Sequence, residues 1–268
     1  MGLRFHKMHG LGNDFVVIDG RAAAVALGAP QIRAIADRHR GIGCDQLILL
    51  EPSAVADAKM RIFNPDGGEV EACGNATRCV TRLIGAEARI ETLGGILHGV
   101  SAGEGASIDM GKPRFDWDAI PLAYAMDTRD MPVNWDDLAR PSAVNVGNPH
   151  VIFFVPDAYA VPLEAIGPVI ETDPMFPERV NVNIATVTGP HAITLRVWER
   201  GAGITLACGT GACATAVAAI RLGLVTGPVT VSLPGGELEI DWRAGEAIRM
   251  TGPATHVFTG ELDAGWAA

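Results

Sequence analysis

Cys208 lies in Ile204-Thr-Leu-Ala-Cys-Gly-Thr-Gly-Ala-Cys-Ala-Thr-Ala-Val-Ala-Ala219, where an extended segment turns into a helix. Ile204–Leu206 reads as a strand end, Gly209 and Gly211 permit tight backbone geometry, and the apolar run to Ile220 predicts a buried helix closed by Gly223. A helix N-terminus gathers unpaired N–H groups and the positive end of the dipole. That field draws a thiol from its free pKa of about 8.5 toward roughly 3.5–7.5, so Cys208 is read as an acid or base. The same donors can hold a carboxylate. A cysteine in an apolar run is otherwise a small hydrophobe, and Cys213, one turn further on, is read that way.

Gly209-x-Gly211-x-x-Ala214 has the form of a dinucleotide fingerprint, but that motif needs a following strand and an acidic residue about 20 positions on. Arg221 and Thr230 do not serve, and Glu237 comes late, after a Pro-Gly-Gly turn. The pattern instead occurs twice. Glu71-Ala-Cys-Gly-Asn-Ala-Thr-Arg-Cys-Val-Thr-Arg-Leu-Ile-Gly85 repeats the Ala-Cys-Gly turn, the small-residue helix start and the terminal glycine, which makes Cys73 the counterpart of Cys208. Their separation, 208 − 73 = 135, is close to half of the 268-residue chain. This implies two similar halves, each presenting a thiol at a helix N-terminus, with the active site expected in the cleft between them. Two such thiols suit two-base racemisation: a thiolate removes a proton from one face of a carbon and a thiol returns one to the other. The helix dipoles stabilise the substrate carboxylate as the α-carbon becomes carbanionic.

Several further blocks stand in a fixed order: Lys7-Met-His-Gly-Leu-Gly-Asn-Asp-Phe15, Arg38-His-Arg-Gly-Ile-Gly-Cys-Asp-Gln46, Arg61-Ile-Phe-Asn-Pro-Asp-Gly67, Gly147-Asn-Pro-His150, Phe176-Pro-Glu-Arg-Val-Asn181 and Trp198-Glu-Arg-Gly-Ala-Gly203. With the two cysteine motifs, the chain resembles the diaminopimelate epimerase family along most of its length. The resemblance implies an α/β (α+β) fold of two pseudo-symmetric domains, each a curved, mostly antiparallel sheet around a central apolar helix. It implies a cofactor-independent isomerase interconverting LL- and meso-2,6-diaminopimelate for lysine and peptidoglycan precursor synthesis, and a homodimer. Cys73 then takes the proton from the LL substrate, Cys208 is its partner, and His150 and Glu199 support them. Substrate contacts fall to Asn13, Gln46, Asn64, Gly74, Asn75, Asn148, Asn181, Glu199, Arg200, Gly209 and Thr210, with no metal. The family has tyrosine where Trp198 stands, and Cys44 occupies a place not tied to catalysis.

The elements that must position these residues are legible in outline. Residues 3–9 and 14–19 read as strands around the turn Gly10–Asn13, residues 30–40 as a surface helix, and residues 47–50 and 59–64 as further strands. Residues 88–110 alternate as a meander, and the pattern weakens from Arg114 to Arg140. Residues 151–155, 179–184 and 191–200 read as strands, residues 162–171 as a second surface helix, and residues 228–258 as a run of strands. The domains are set at 1–115 and 116–254, with a C-terminal strand at about 255–268 returning to the first.

The net charge of −10 and the lack of a Lys/Arg cluster argue against a nucleic-acid surface. No apolar stretch suggests a membrane span or signal peptide, and five cysteines without a Cys-x-x-Cys pair suit neither a disulfide framework nor zinc, so a cytoplasmic protein is expected. Only Lys7, Lys59 and Lys112 are present, none in a setting that suggests a Schiff base. Proline racemase or hydroxyproline epimerase shares the two-cysteine design but lacks the Gly-Leu-Gly-Asn-Asp-Phe opening. A thiol redox protein would not need the Asn/Arg set, and a binding protein would keep its ligand without either cysteine.

Overall fold

The computed structural model describes residues 2–70, 73–263 and 266; Glu71 and Ala72 of the first cysteine motif and four of the last five residues lie outside them. The chain forms two compact units, one ending at Asp109 and re-entered at Thr251, the other running from Met110 to Met250. Each is an α+β assembly.

The first unit begins with β1 (Leu3–Gly10) and β2 (Asn13–Asp19), antiparallel with Gly10 opposite Asn13. The two-residue loop puts both Leu11 (φ 57°) and Gly12 (φ 86°) in the left-handed region, the mirror-image turn whose twist matches that of the strands. Helix α1 (Ala29–Ala36) is shorter than the predicted 30–40, because the Asp37 carboxylate accepts from the amides of His39 and Arg40 and turns the chain out of the helix. Next come β3 (Gln46–Glu51), parallel to β2, then β4 (Ala58–Phe63) and β5 (Glu69–Val70), each antiparallel to its predecessor. Helix α2 (Gly74–Ile84) follows, then the meander β6 (Glu87–Thr92), β7 (Gly95–Ala102) and β8 (Gly105–Asp109). Ala76, Cys79 and Val80 of α2 sit in an apolar cluster with Met8, Phe15, Ile48 and Ile62, so the sheet wraps around this helix.

The second unit opens with little regular structure apart from the small ladder β9 (Asn134–Trp135) and β10 (Leu138–Ala139). It then repeats the plan: β11 (Ser142–Asn145), β12 (Pro149–Phe154), α3 (Leu163–Glu171), β13 (Asn181–Gly189), β14 (Ala192–Glu199), β15 (Gly203–Thr205), α4 (Gly209–Leu222), β16 (Val229–Leu233) and β17 (Gly236–Asp241). Helix α4 is buried from Gly211 to Ala219, as an all-apolar helix must be, and Gly223 closes it with φ 75°. The chain leaves through β18 (Arg249–Pro253), and β19 (Thr255–Leu262) pairs antiparallel with β1.

The duplication is quantitative. Phe15 lies opposite Gln46 across the parallel pair β2–β3, and His150 opposite Asn181 across β12–β13. Leu47 pairs with Phe63, and Val182 with Trp198; Ile62 pairs with Val70, and Val197 with Thr205. One offset of 135 residues relates every one of these pairs, so three inter-strand registers and the helix that follows them are held in step.

Candidate active site

Cys208 is the N-cap of α4 and Cys73 the N-cap of α2, both with extended backbone angles, and the Cys208 side chain reaches across the first helical turn. In the second unit Sγ of Cys208 accepts the Gly211 amide at 3.3 Å and lies 3.5 Å from Oγ1 of Thr210. The thiol is 4% exposed and hydrogen-bonds the Glu199 carboxylate, which also accepts from Thr205 Oγ1 at 2.5 Å. Glu199 arrives there because β14 and β15 form a tight antiparallel ladder with Glu199 opposite Gly203.

The sequence predicts a depressed Cys208 pKa, and here the structure differs. Burial and then the Glu199 charge push the thiol well above its ordinary value, against the Thr210 hydroxyl and the Gly211 amide. The magnitudes explain the sign: full burial costs a charged form roughly 4–7 kcal/mol, while a helix terminus returns about 2 kcal/mol at most. Cys208 is therefore a thiol at neutral pH. Glu199 is itself raised by burial, with Thr205 and Cys208 pulling it back.

Asn181 and Arg200 adjoin this group. Asn181 donates to the Pro149 carbonyl at 2.8 Å and accepts the Arg200 amide at 2.9 Å, while one Arg200 guanidinium nitrogen donates to the Glu178 carbonyl from an exposed position. His150 is fully buried, its Nδ1 is 3.2 Å from Asn183 Oδ1 and its Nε2 is 3.0 Å from Asn148 Oδ1. The Asn183 NH2 is committed elsewhere, so Nδ1 carries the proton and donates to Asn183 Oδ1, while Nε2 faces the Asn148 side-chain oxygen. Burial lowers the His150 pKa to about 4, so the ring is neutral and its nitrogens are engaged inside the protein. Both ring nitrogens lie within hydrogen-bond reach of asparagine side-chain oxygens of the second unit.

This has a consequence for stability. An unfolded chain protonates His150 near 6.5 and the folded one near 4, so the contribution of the neutral ring is complete above 6.5 and is lost as pH falls to 4. The loss expected is about 3 kcal/mol. Urea unfolding at pH 7.5 and 4.5 should show a steeper decline for the natural chain than for His150→Phe; equal declines would place the acid lability elsewhere.

In the first unit Cys73 is half-buried, and its Sγ lies 3.8 Å from Asn13 Oδ1. That oxygen also accepts from Asn75 Nδ2 at 3.2 Å, while Asn13 Nδ2 donates to Asp45 at 3.1 Å. Gly74 opens the helix beside Cys73 as Gly209 does beside Cys208. Gln46 Nε2 donates to Asn64 Oδ1 at 3.2 Å, and Gln46 Oε1 is buried with no hydrogen-bond partner among the described residues. Two positioning residues were not singled out from the sequence. Arg78, fully buried, holds the Asn75 carbonyl at 2.8 Å, and Asp45 belongs to a network with Asp14 and Arg38. Burial pushes Asp14 up, yet Arg38 and Lys7 hold it well below the usual carboxylate range, which ties Lys7 into this support.

The candidate residues fall into matched pairs under the 135-residue offset: Asn13 with Asn148, Gln46 with Asn181, Asn64 with Glu199, Cys73 with Cys208, and Asn75 with Thr210. The other thiols are shielded. Burial raises Cys79 to about 12 and Cys44 to about 11, and Cys213 is fully buried in α4. Trp198 does more than pack: its Nε1 donates to buried Glu171 at 2.7 Å, and a Cβ at Gly167 would meet the indole at 2.7 Å. Trp198→Phe leaves Glu171 short of a donor and should cost about 1–3 kcal/mol in chemical denaturation; a loss below that would reduce the residue to a packing role.

A family model described as diaminopimelate epimerase matches residues 5–115 and 142–257. A diaminopimelate epimerase of Rhizorhabdus wittichii is 69% identical over 98% of this chain and 96% of its own, and one of Sphingopyxis alaskensis 67% identical over 100% and 99%. Among solved structures, a phenazine biosynthesis protein of the PhzF family from Bacillus anthracis has a TM-score of 0.70 at 18% identity, covering 98% of this chain and 99% of its own. A probable proline racemase from Agrobacterium radiobacter has a TM-score of 0.65 at 17% identity, covering 98% and 93%. These likenesses show a shared fold, and the paired N-cap thiols with their Asn, Gln, Glu and Arg neighbours stand within the span of the family match: the chain belongs to the diaminopimelate epimerase family.

Proposed function

We propose that the protein interconverts LL- and meso-2,6-diaminopimelate without a cofactor, Cys73 taking the α-proton of the LL substrate and Cys208 returning one to the other face of the carbon. The observation that carries this is the pair of N-cap thiols at one 135-residue offset, with Cys208 kept protonated by burial and Glu199. That environment suits a group that delivers a proton. The amides at the start of α2 and α4, those of Gly74, Gly209 and Thr210 among them, stabilise the reacting carboxylate. Glu199 faces an ammonium, and Arg200 a carboxylate in bidentate geometry. Asn13, Asn64, Asn75, Asn148 and Asn181 supply the remaining polar contacts, and the partnerless Gln46 Oε1 suits an ammonium donor. A set this polar rejects substrates lacking the second amino-acid head group far more strongly than an apolar pocket would.

The reaction serves lysine and peptidoglycan precursor synthesis in the cytoplasm. No helix among the described residues is long and apolar enough to cross a membrane. We further infer a homodimer, since β19 leaves Val257 and Phe258 54% and 47% exposed.

The test is proton exchange in D₂O, with reduced protein, LL-diaminopimelate, and neither pyridoxal phosphate nor metal. Deuterium should enter diaminopimelate as the meso isomer appears, with L-proline and 4-hydroxyproline untouched. Exchange into a ring amino acid instead would overturn the substrate assignment, and no exchange at all would overturn the reaction.

A further inference from the structure

We infer that Asn183 is a positioning residue for Cys208, an inference that rests on Cys208 being an acid/base group. Its side chain is fully buried and fully used: Nδ2 donates to the Gly211 carbonyl at 3.0 Å and to Thr215 Oγ1 at 2.9 Å, while Oδ1 accepts from His150. Gly211 is the residue whose amide points at Cys208 Sγ. Asn183 therefore ties the first turn of α4 to β13 at the position that fixes the thiol. That position has no slack: a Cβ at 211 would lie 3.2 Å from Sγ and 3.1 Å from Val197 Cγ2. A small drift of the turn would withdraw the amide or crowd the sulfur.

The duplicated unit provides an internal reference. At the positions of His150, Asn183, Gly211 and Thr215 the first unit has Phe15, Ile48, Ala76 and Val80, all buried in one apolar cluster. The same strands and helix thus pack with an entirely apolar set, so the fold does not require the amide of Asn183. A buried polar network is the harder arrangement to satisfy, and here every polar atom of the Asn183 side chain has its partner. Its presence only behind the thiol that sits against a carboxylate points to control of that thiol.

Asn183→Ile places the first unit's residue here. Both directions of diaminopimelate epimerisation would be assayed, together with the rate of iodoacetamide alkylation of Cys208 in a Cys73→Ala background, followed by mass spectrometry. The expected result is a fall in kcat of about ten- to a hundredfold with little change in KM, as for a misplaced reacting group. Alkylation should slow by about tenfold, since the thiolate loses an aimed donor. If Asn183→Ile does not fold, His150→Phe/Asn183→Ile/Thr215→Val, which carries the first unit's residues at three of the four positions and keeps Gly211, serves the same test. Unchanged kcat and alkylation in a variant whose unmodified parent exchanges the α-proton would overturn the positioning role. A parent that exchanges nothing would instead overturn the reading on which it rests.

Discussion

Cys208→Ala should abolish net epimerisation while leaving half of the chemistry in place. General acid–base catalysis by one positioned group is worth about 10²–10⁴-fold, and a drop of that size is expected in the rate at which LL-diaminopimelate becomes meso. The LL substrate still meets Cys73. Its α-proton still leaves, but with no thiol to protonate the other face the carbanion recaptures a proton from Cys73. That thiol exchanges with solvent, so deuterium should accumulate in the LL isomer with its configuration retained. The reacting centre of the meso isomer, which needs Cys208 as base, should stop exchanging. Cys73→Ala should give the mirror pattern. Folding will suffer modestly, because alanine fits the 4% exposed site and removes the sulfur's contacts with the Gly211 amide, Thr210 and Glu199, a loss of about 1–3 kcal/mol. Chiral chromatography with NMR in D₂O separates the possibilities. Production of meso isomer at the parent rate would remove Cys208 from the mechanism, and loss of exchange from both isomers would break the division of labour between the thiols.

What the sequence made legible, and what it did not, divides along a physical line. Identity and local spacing reveal the two Cys-Gly motifs, the strand endings before them and the closing Gly223, because backbone geometry at a strand-to-helix turn restricts residue type strongly. The same offset joins Gln46 to Asn181 and Asn64 to Glu199, but those pairs share no residue type, and only the strand registers reveal them. The direction of the Cys208 pKa was illegible for a related reason. A helix N-terminus can be read from local sequence, whereas the burial of the sulfur and the approach of Glu199 depend on the β14–β15 ladder and on packing around α4. Asn183 has no local signature, since a buried asparagine two residues from Asn181 reads like any other position of the strand. Its importance lies in contacts 28 and 32 residues away. Helix α1 is shorter than its residue pattern predicts because Asp37 reads as one more polar residue of a surface helix, whereas its carboxylate accepts two amides that end it.

Glu199→Gln should change the pH dependence of the two directions in one predictable sense. The glutamine keeps the size of the side chain and a hydrogen bond to Thr205, but removes the charge that, after burial, raises the Cys208 pKa. Cys208 should therefore ionise at lower pH in the variant. Conversion of meso to LL needs the thiolate form of Cys208, so the alkaline rise of its rate should move to lower pH. Conversion of LL to meso needs the protonated form, so its alkaline fall should move to lower pH as well. Both limbs shift together because one group titrates. Superimposed on this, kcat/KM should drop about ten- to a hundredfold at every pH, since a hydrogen bond from an ammonium to a carboxylate is worth about 1.5–3 kcal/mol and the neutral amide cannot replace it. The two effects separate cleanly: loss of substrate binding alone lowers the profile without moving it, whereas loss of the charge beside the thiol moves it. A profile lowered but unmoved would leave Glu199 as a substrate ligand only, and limbs displaced to higher pH would mean that Glu199 had been favouring the Cys208 thiolate, contrary to the environment in which the thiol sits.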